Sequence, residues 1–181
     1  MGNKKKNKSF TLIEALVVIF VIGLTSSIMI VNWRKKENQY QLQRAAQEIA
    51  QTIRKAQDYA LNGKQRDWPG VGMIVPDSYG AHFNEDERNY FVYGDRIGNI
   101  GYQPPEDLQE TNIIIETGIE IESVGTAQGY FDVIFSVPDG FVTFNPSNAS
   151  GIITVKKTGT TCPSKNCRNI VVKETGEVSI Q

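Results

Sequence analysis

The chain has 181 residues, of which 40% are hydrophobic and 22% are charged, and its formal net charge is −1. The charges are unevenly placed, because four lysines and no acid precede residue 10, whereas residues 32–181 carry 15 basic and 19 acidic side chains. A protein held to nucleic acid by phosphate contacts needs a basic surface, so this balance argues against nucleic acid as the main partner. The length beyond the N-terminal region is sufficient for one compact domain.

The N-terminus combines a basic leader with a long apolar run. The four lysines lie within residues 4–8, and the 22 residues Phe10–Val31 follow with Glu14 as their only charged side chain. About 20 apolar residues cross a bilayer, and short basic flanks stay on the cytoplasmic side. We therefore expect a membrane helix over 10–31, with the rest of the chain outside the cytoplasm. A cleaved secretory signal peptide would have a shorter apolar core, of about 7–15 residues, and a small-x-small cleavage site.

Glu14 is the residue in this run that needs an explanation. An uncompensated carboxylate inside a membrane helix costs roughly 2.5 kcal/mol or more. Composition leaves two explanations open. Either the side chain lies close to the interface and reaches water, or it is neutralised by a cation that another molecule supplies.

The same residues resemble a known family. A basic leader, the small Ser9, and then Phe-Thr-Leu-Ile-Glu at the head of a long apolar helix are similar to the N-terminal signal of type IV pilins and of the pseudopilins of type II secretion. This resemblance covers about residues 9–24. It implies that a prepilin peptidase cuts between Ser9 and Phe10 and methylates the new amine of Phe10. The family usually has glycine before the cut, where this chain has Ser9.

The resemblance also implies a role for Glu14 and a set of partners. In such a family the carboxylate of one subunit would neutralise the Phe10 amine of its neighbour, which fixes the step between subunits. The implied partners are prepilin peptidase, other pilin or pseudopilin subunits, the inner-membrane assembly platform and membrane lipid. The implied location is the bacterial inner membrane, crossed once, and then a pilus or pseudopilus after assembly.

A second helical pattern follows the apolar run. Apolar residues recur at steps of three and four from Leu42 to Ala60, and Gly63 after Asn62 is a stop signal. The chain therefore divides into a leader at 1–9, a membrane or filament-core helix at 10–31, an amphipathic continuation at 32–63, and a β-rich extracytoplasmic domain at 64–181. The predicted fold class is α+β, a long N-terminal helix packed on a C-terminal antiparallel β-sheet domain, as in pilins.

Short strand-like runs separated by Gly, Pro, Asn and Asp fill the C-terminal part. The runs predicted as strands are 71–75, 90–93, 113–115, 118–123, 130–137, 141–144, 152–156, 169–173 and 177–180. The region that contains Tyr79, Phe83, Tyr90, Phe91 and Tyr93 is predicted to be the least regular, with most of these aromatic side chains in the core or on a sheet face. The Pro-Asp-Gly turn at 138–140 and the hairpin at 174–176 also resemble the end of the GspH/FimT group of minor pseudopilins and minor pilins.

Four residues separate the two cysteines, Cys162 and Cys167, in the sequence. In an exported domain such a pair most simply forms a disulfide, which would contribute on the order of 2 kcal/mol. Zinc would need two further ligands, and a redox pair normally has two intervening residues. Unpaired thiols remain the alternative in a host that forms no disulfides.

The sequence offers little material for catalysis. His82 is the only histidine, and the chain has no nucleophile elbow, phosphate-binding loop or zinc-protease motif. We therefore expect no enzyme activity, no cofactor and no metal site. The acidic segment 84–88 lacks the spacing of a calcium-binding loop and is expected to be solvated.

These observations favour a structural subunit, a minor pilin or pseudopilin, that is processed and assembled through its N-terminal helix. Two alternatives stay open. One is a minor pilin that binds DNA for uptake, for which the modest group of Lys156, Lys157, Lys165, Arg168 and Lys173 is the only support. The other is an exported domain with a plain signal anchor and no assembly partner.

Overall fold

The computed structural model describes residues 11–85, 87–98, 101–110, 112–124, 126–147, 151–163 and 165–181, and the backbone alone at residues 29–36, 38 and 123. A single helix, α1, runs over Leu12–Leu61. The chain divides into two compact units, the first ending at Asn38 and the second covering Gln39–Gln181. Each unit is described separately below.

The first unit consists of the N-terminal half of α1, and its large apolar side chains are exposed on all sides. Leu12 is 83% exposed, Phe20 64% and Ile28 66%. Two hydroxyl side chains in the run bond back to the helix, Thr25 to the Val21 carbonyl at 3.0 Å and Ser27 to the Gly23 carbonyl at 2.9 Å. The polar groups of these hydroxyls are therefore satisfied within the helix, which suits an apolar environment.

No helix in the described part of the chain is long and apolar enough to span a membrane. The membrane segment predicted at 10–31 includes Phe10 and the side chains from residue 29 onward, which lie outside the described residues. That segment stays a prediction.

In the second unit, α1 buries one apolar stripe, as its periodicity predicted. The buried residues are Leu42, Ala45, Ala46, Ile49, Ala50, Ile53, Ala56 and Ala60. Alanine occupies five of these eight positions. The helix ends at Leu61, and Gly63 adopts a left-handed φ of 54°, which glycine tolerates without strain. The predicted helix stop is confirmed.

Twelve strands follow among the described residues: β1 Arg66–Trp68, β2 Gly72–Ile74, β3 Ser78–Asn84, β4 Asn89–Asp95, β5 Leu108–Gln109, β6 Ile113–Ile114, β7 Ile119–Ser123, β8 Tyr130–Ser136, β9 Val142–Asn145, β10 Ile152–Lys157, β11 Cys167–Val172 and β12 Val178–Ile180. Their pairings are all antiparallel. They form a two-stranded sheet of β1 and β2, a central sheet in the order β5-β4-β3-β8-β9 with β6 also on β4, and a four-stranded sheet in the order β12-β11-β10-β7.

Both larger sheets share one core with the helix. This core joins the α1 stripe to side chains of the central sheet such as Phe83, Phe131 and Phe135, and to Ile153 and Ile170 of the four-stranded sheet. The predicted α+β class, with helix packed on antiparallel sheet, is confirmed.

One prediction about the β-rich domain was wrong. The region that contains the aromatic residues from Tyr79 to Tyr93 was expected to be the least regular, whereas residues 78–84 form β3 at the middle of the central sheet and residues 89–95 form β4 beside it. The strand pairs with β4 on one side and β8 on the other, at registers such as Ala81 with Val92 and with Val133. Tyr79, Ala81 and Phe83 alternate with Gly80 and His82, as a half-buried strand requires, and the two neighbouring strands fix the register.

The central sheet has a second, outer face. Phe91, Tyr93 and Ile134 form a small apolar cluster there, and Tyr102 packs on it from the loop after β4. Gly80 leaves room for the Tyr93 ring, which a Cβ atom at this position would overlap. The loop covers part of the outer face, and the remainder is open.

Candidate functional site

The two residues of the predicted cleavage site, Ser9 and Phe10, lie outside the described residues. Cleavage between them and methylation of Phe10 stay predictions. The structure does describe the start of the helix that follows, including Glu14.

Glu14 lies in the first turn of α1 and forms a cap with Thr11. The Glu14 backbone N–H donates to the Thr11 hydroxyl oxygen at 3.3 Å, and that hydroxyl donates to Glu14 Oε2 at 3.5 Å. Thr at the cap and Glu three residues later form one half of a capping box, in which the Thr11 hydroxyl satisfies the Glu14 N–H, one of the backbone groups that a helix start leaves without partners. The negative charge also suits the positive end of the helix dipole. The Thr-x-x-Glu pattern was visible in the sequence, but we considered Glu14 only for its charge.

The surroundings of Glu14 are apolar. Ile13 is 72% exposed, Leu16 61% and Val17 56%, so the carboxylate sits among side chains that have no partner in this unit. A helix that is apolar on every side needs lipid or other apolar helices around it. Among the described residues, the Glu14 carboxylate contacts the Thr11 hydroxyl and forms no ion pair.

Cys162 and Cys167 form a disulfide with their Cα atoms 6.0 Å apart. The Cys162 backbone N–H donates to Glu122 Oε1 at 3.3 Å, which ties the small loop to β7. Glu122 and the two cysteines are close enough together to hold a metal ion, but the disulfide removes the thiolates that a metal would need. The residues therefore fit a structural bridge.

The basic residues considered for DNA binding are largely engaged within the domain. Lys156 Nζ lies 3.6 Å from carboxylate oxygens of both Glu120 and Glu122. Lys173 Nζ lies 2.7 Å from Glu177 Oε2. These pairs lower the positive potential that phosphate contacts require, and they give the DNA hypothesis no support.

A group of charges ties the end of α1 to the edge of the central sheet. Glu110 accepts from Lys64 Nζ at 2.9 Å, contacts Arg66, and lies 3.3 Å from Lys55 Nζ. Burial alone would raise the pKa of Glu110, but the Lys64 hydrogen bond and the charges of Arg66 and Lys55 outweigh it, so this pKa lies below its usual value. The group holds together elements that are far apart in sequence and has a structural role.

A second polar group fixes the loop that covers the outer face of the central sheet. Asp107 Oδ2 accepts from the Gln103 backbone N–H at 2.6 Å, and Asp95 Oδ1 accepts from Ile97 N at 2.9 Å. Burial, and secondarily the nearby Asp95 charge, raise the pKa of Asp107 to about 6. Burial also raises the pKa of Asp95. The loop is therefore held by carboxylates that are costly to ionise.

His82 lies between a carboxylate and a carboxamide. Its Nδ1 lies 2.7 Å from Asp132 Oδ1, which resembles part of a catalytic triad, but Nε2 faces the side-chain oxygen of Asn84 at 3.1 Å. A triad needs a hydroxyl or thiol at that position.

Residues 4–30 match a protein family described as the prokaryotic N-terminal methylation motif. This match confirms, for the N-terminal segment, the resemblance to type IV pilins and pseudopilins. No curated protein matches the sequence. Among solved structures, the chain is similar to one described as the minor pseudopilin EpsH from the Type 2 Secretion System of Vibrio cholerae, with 12% identity, a TM-score of 0.49, and coverage of 78% of this chain and 96% of that one. A likeness this weak carries no conclusion about function, and the narrower GspH/FimT resemblance stays a prediction.

Proposed function

We propose that the chain is a structural subunit of a type IV pilus or a type II secretion pseudopilus, and that it has no enzyme activity. The observation that carries this proposal is the start of α1, where side chains such as Leu12, Phe20 and Ile28 are exposed and apolar all round the helix. The segment coincides with the methylation motif at residues 4–30. An unpartnered apolar helix beside a processing signal is what a subunit stored in a membrane and later packed into a filament requires.

In this proposal the unassembled subunit lies in the bacterial inner membrane, with residues 10–31 in lipid and the β-rich domain outside the cytoplasm. Prepilin peptidase removes residues 1–9 and leaves a positively charged, methylated Phe10 amine. The assembly platform then moves the helix from lipid into contact with the helices of other subunits. Packing of the exposed apolar side chains against those helices replaces their contacts with lipid.

Glu14 determines how neighbouring subunits align. The Thr11 cap holds the start of the helix, and the carboxylate on this turn pairs with the Phe10 amine of the next subunit. Each partner removes the cost of leaving the other charged in apolar surroundings, so a wrongly aligned subunit is disfavoured by two unpaired charges.

The proposal is tested by asking whether the chain enters filaments through this helix. Sheared filaments from the native bacterium are probed by immunoblot for the wild-type chain, for Leu16→Asp and for Gln47→Asp. Leu16 is exposed in the apolar segment, whereas Gln47 is exposed on the polar side of the amphipathic segment. We expect Leu16→Asp to be absent from filaments and Gln47→Asp to be present at the wild-type level. A wild-type chain that stays in the membrane fraction while filaments form without it would instead favour an exported domain with a plain signal anchor.

A further inference from the structure

The open part of the outer face of the central sheet forms a polar cleft of about 400 Å³. Its walls come from three strands and the covering loop, and the side chains that line it are His82, Asn84, Tyr102, Gln103, Tyr130 and Asn145. This face points away from the core that contains the α1 stripe, because His82, Tyr130 and Asn145 alternate along their strands with core residues. The fold itself therefore does not require this set of side chains.

A buried carboxylate organises the walls of the cleft. Asp132 is 1% exposed, and its oxygens lie 2.7 Å from His82 Nδ1, 3.2 Å from Asn145 Nδ2 and 3.4 Å from the Tyr102 backbone nitrogen. Burying a carboxylate is costly unless it is well paired. All three partners belong to the cleft, so the interactions that compensate Asp132 also hold the cleft in one arrangement.

The backbone supports the same arrangement. Gly101 has a left-handed φ of 103°, and a Cβ atom there would overlap the Asn145 amide and lie 2.9 Å from Asp132 Oδ2. Only glycine lets the loop approach these two side chains so closely. Asn84 contacts the other ring nitrogen of His82. Both ring nitrogens therefore have partners, which hold the ring in one orientation.

The lining side chains define the chemistry of the occupant. Gln103 and Asn145 present carboxamides, Asn145 with its Nδ2 donating to Asp132, and two tyrosine rings present apolar faces beside them. The Asn84 carboxamide is already bonded to His82 and Glu87. The side chains that line the cleft include no Lys, Arg, Asp or Glu, and the buried Asp132 behind them is bonded to His82 and Asn145. The lining therefore offers neither the cations that bind a phosphate nor an exposed carboxylate that binds an amine. A pyranose ring combines hydroxyl groups at its rim with an apolar face of C–H bonds, and a cleft of this volume accommodates one or two such rings.

We propose that this cleft is a binding site for a neutral sugar. The aromatic rings pack on the apolar face of the sugar, and the carboxamides exchange hydrogen bonds with its hydroxyls. The ring contacts of His82 with Tyr102 at 5.3 Å and with Tyr130 at 6.1 Å keep the aromatic walls in place before the sugar arrives. Such preorganisation reduces the entropy that binding would otherwise cost.

The test uses the full-length chain in lipid nanodiscs, since maltoside detergents would compete for the cleft. Saturation-transfer difference NMR is recorded with glucose, galactose, mannose, N-acetylglucosamine and cellobiose, and with galacturonate as a charged comparison. We expect at least one neutral sugar to bind in the millimolar range, at about −4 kcal/mol or slightly tighter. Comparing N-acetylglucosamine with the plain hexoses shows whether the cleft recognises the acetamido group.

Matched glutamine variants locate the site. Gln103 and Gln109 are both exposed, but only Gln103 lines the cleft. Gln103→Ala should weaken sugar binding about tenfold or more, and Gln109→Ala should change it less than about twofold. Asn145→Ala should abolish binding, and if this variant does not fold, Gln103→Ala decides alone.

Three results would overturn the proposal. The first is no saturation transfer from any neutral sugar at ~20 mM, a concentration well above the expected dissociation constant. The second is transfer that Gln103→Ala leaves undiminished. The third is tighter binding of galacturonate than of every neutral sugar.

Discussion

Replacing Glu14 with glutamine separates the two roles that the structure gives to this side chain. A capping box accepts glutamine in place of glutamate, so Glu14→Gln keeps the hydrogen bonds to Thr11 and removes only the charge. The complementary variant, Thr11→Val, removes the capping hydroxyl and leaves the charge. If Glu14 serves assembly through its charge, the first variant fails to assemble and the second assembles.

The expected magnitudes differ enough to be distinguished. Glu14 is surrounded by exposed apolar side chains, so packing them in a filament also removes water from the carboxylate and from the Phe10 amine of the neighbouring subunit with which we propose it pairs. An unpaired charge in such surroundings costs about 2.5–3.5 kcal/mol, which is roughly a hundredfold in the equilibrium for incorporation. Loss of a helix cap costs about 1 kcal/mol, which is less than tenfold.

The assay is the amount of each variant in sheared filaments relative to the amount in the membrane fraction. We expect the ratio for Glu14→Gln to fall about a hundredfold and the ratio for Thr11→Val to fall less than tenfold. Equal amounts of both variants in the membrane fraction control for insertion. The reasoning is refuted if Glu14→Gln enters filaments normally while Thr11→Val does not, because Glu14 would then act through the cap alone.

Three further predictions concern the β-rich domain. Replacing Cys162 and Cys167 together with serine should lower the free energy of unfolding by about 2 kcal/mol in urea titrations under oxidising conditions, and an unchanged midpoint would contradict a stabilising bridge. Gly80→Ala should cost about 1–3 kcal/mol, because the new methyl group overlaps a buried tyrosine ring, and a thermal midpoint within error of wild type would refute this. Burial raises the pKa of Asp107 to about 6 in the folded protein. The contribution of Asp107 to folding stability is therefore complete below the pKa that this carboxyl has in the unfolded chain, and it is lost as pH rises through about 6. Asp107→Asn should flatten that part of the stability curve, and a flat wild-type curve between pH 4 and 7 would contradict it.

Local patterns predicted the parts of the fold that depend on local physics. The stripe from Leu42 to Ala60 follows the helical period, and the stop at Gly63 needs only the conformational freedom of glycine. The Pro-Asp-Gly turn is also confirmed, since the Gly140 N–H bonds to the Ser136 carbonyl at 2.7 Å between β8 and β9. Each of these features is decided within a few neighbouring residues.

Features that depend on distant pairing were not predictable in the same way. β3 contains Gly80 and His82 where a typical strand has β-branched residues, and its partners in β8 lie as far away in sequence as Ser136, which pairs with Ser78. The cleft depends on the register that places His82 opposite Asp132. The sequence contained these residues, but no local pattern shows which of them share a sheet face.

The central claim is that proteolysis exposes a cation at Phe10 for which Glu14 of a neighbouring subunit is the partner. Mass spectrometry of the N-terminal peptide, from chains isolated out of native filaments, tests it most directly. The account predicts a peptide that begins at Phe10 and carries one additional methyl group on its amine. A filament-borne chain that still begins with the leader, or one cut at any other bond, would contradict it.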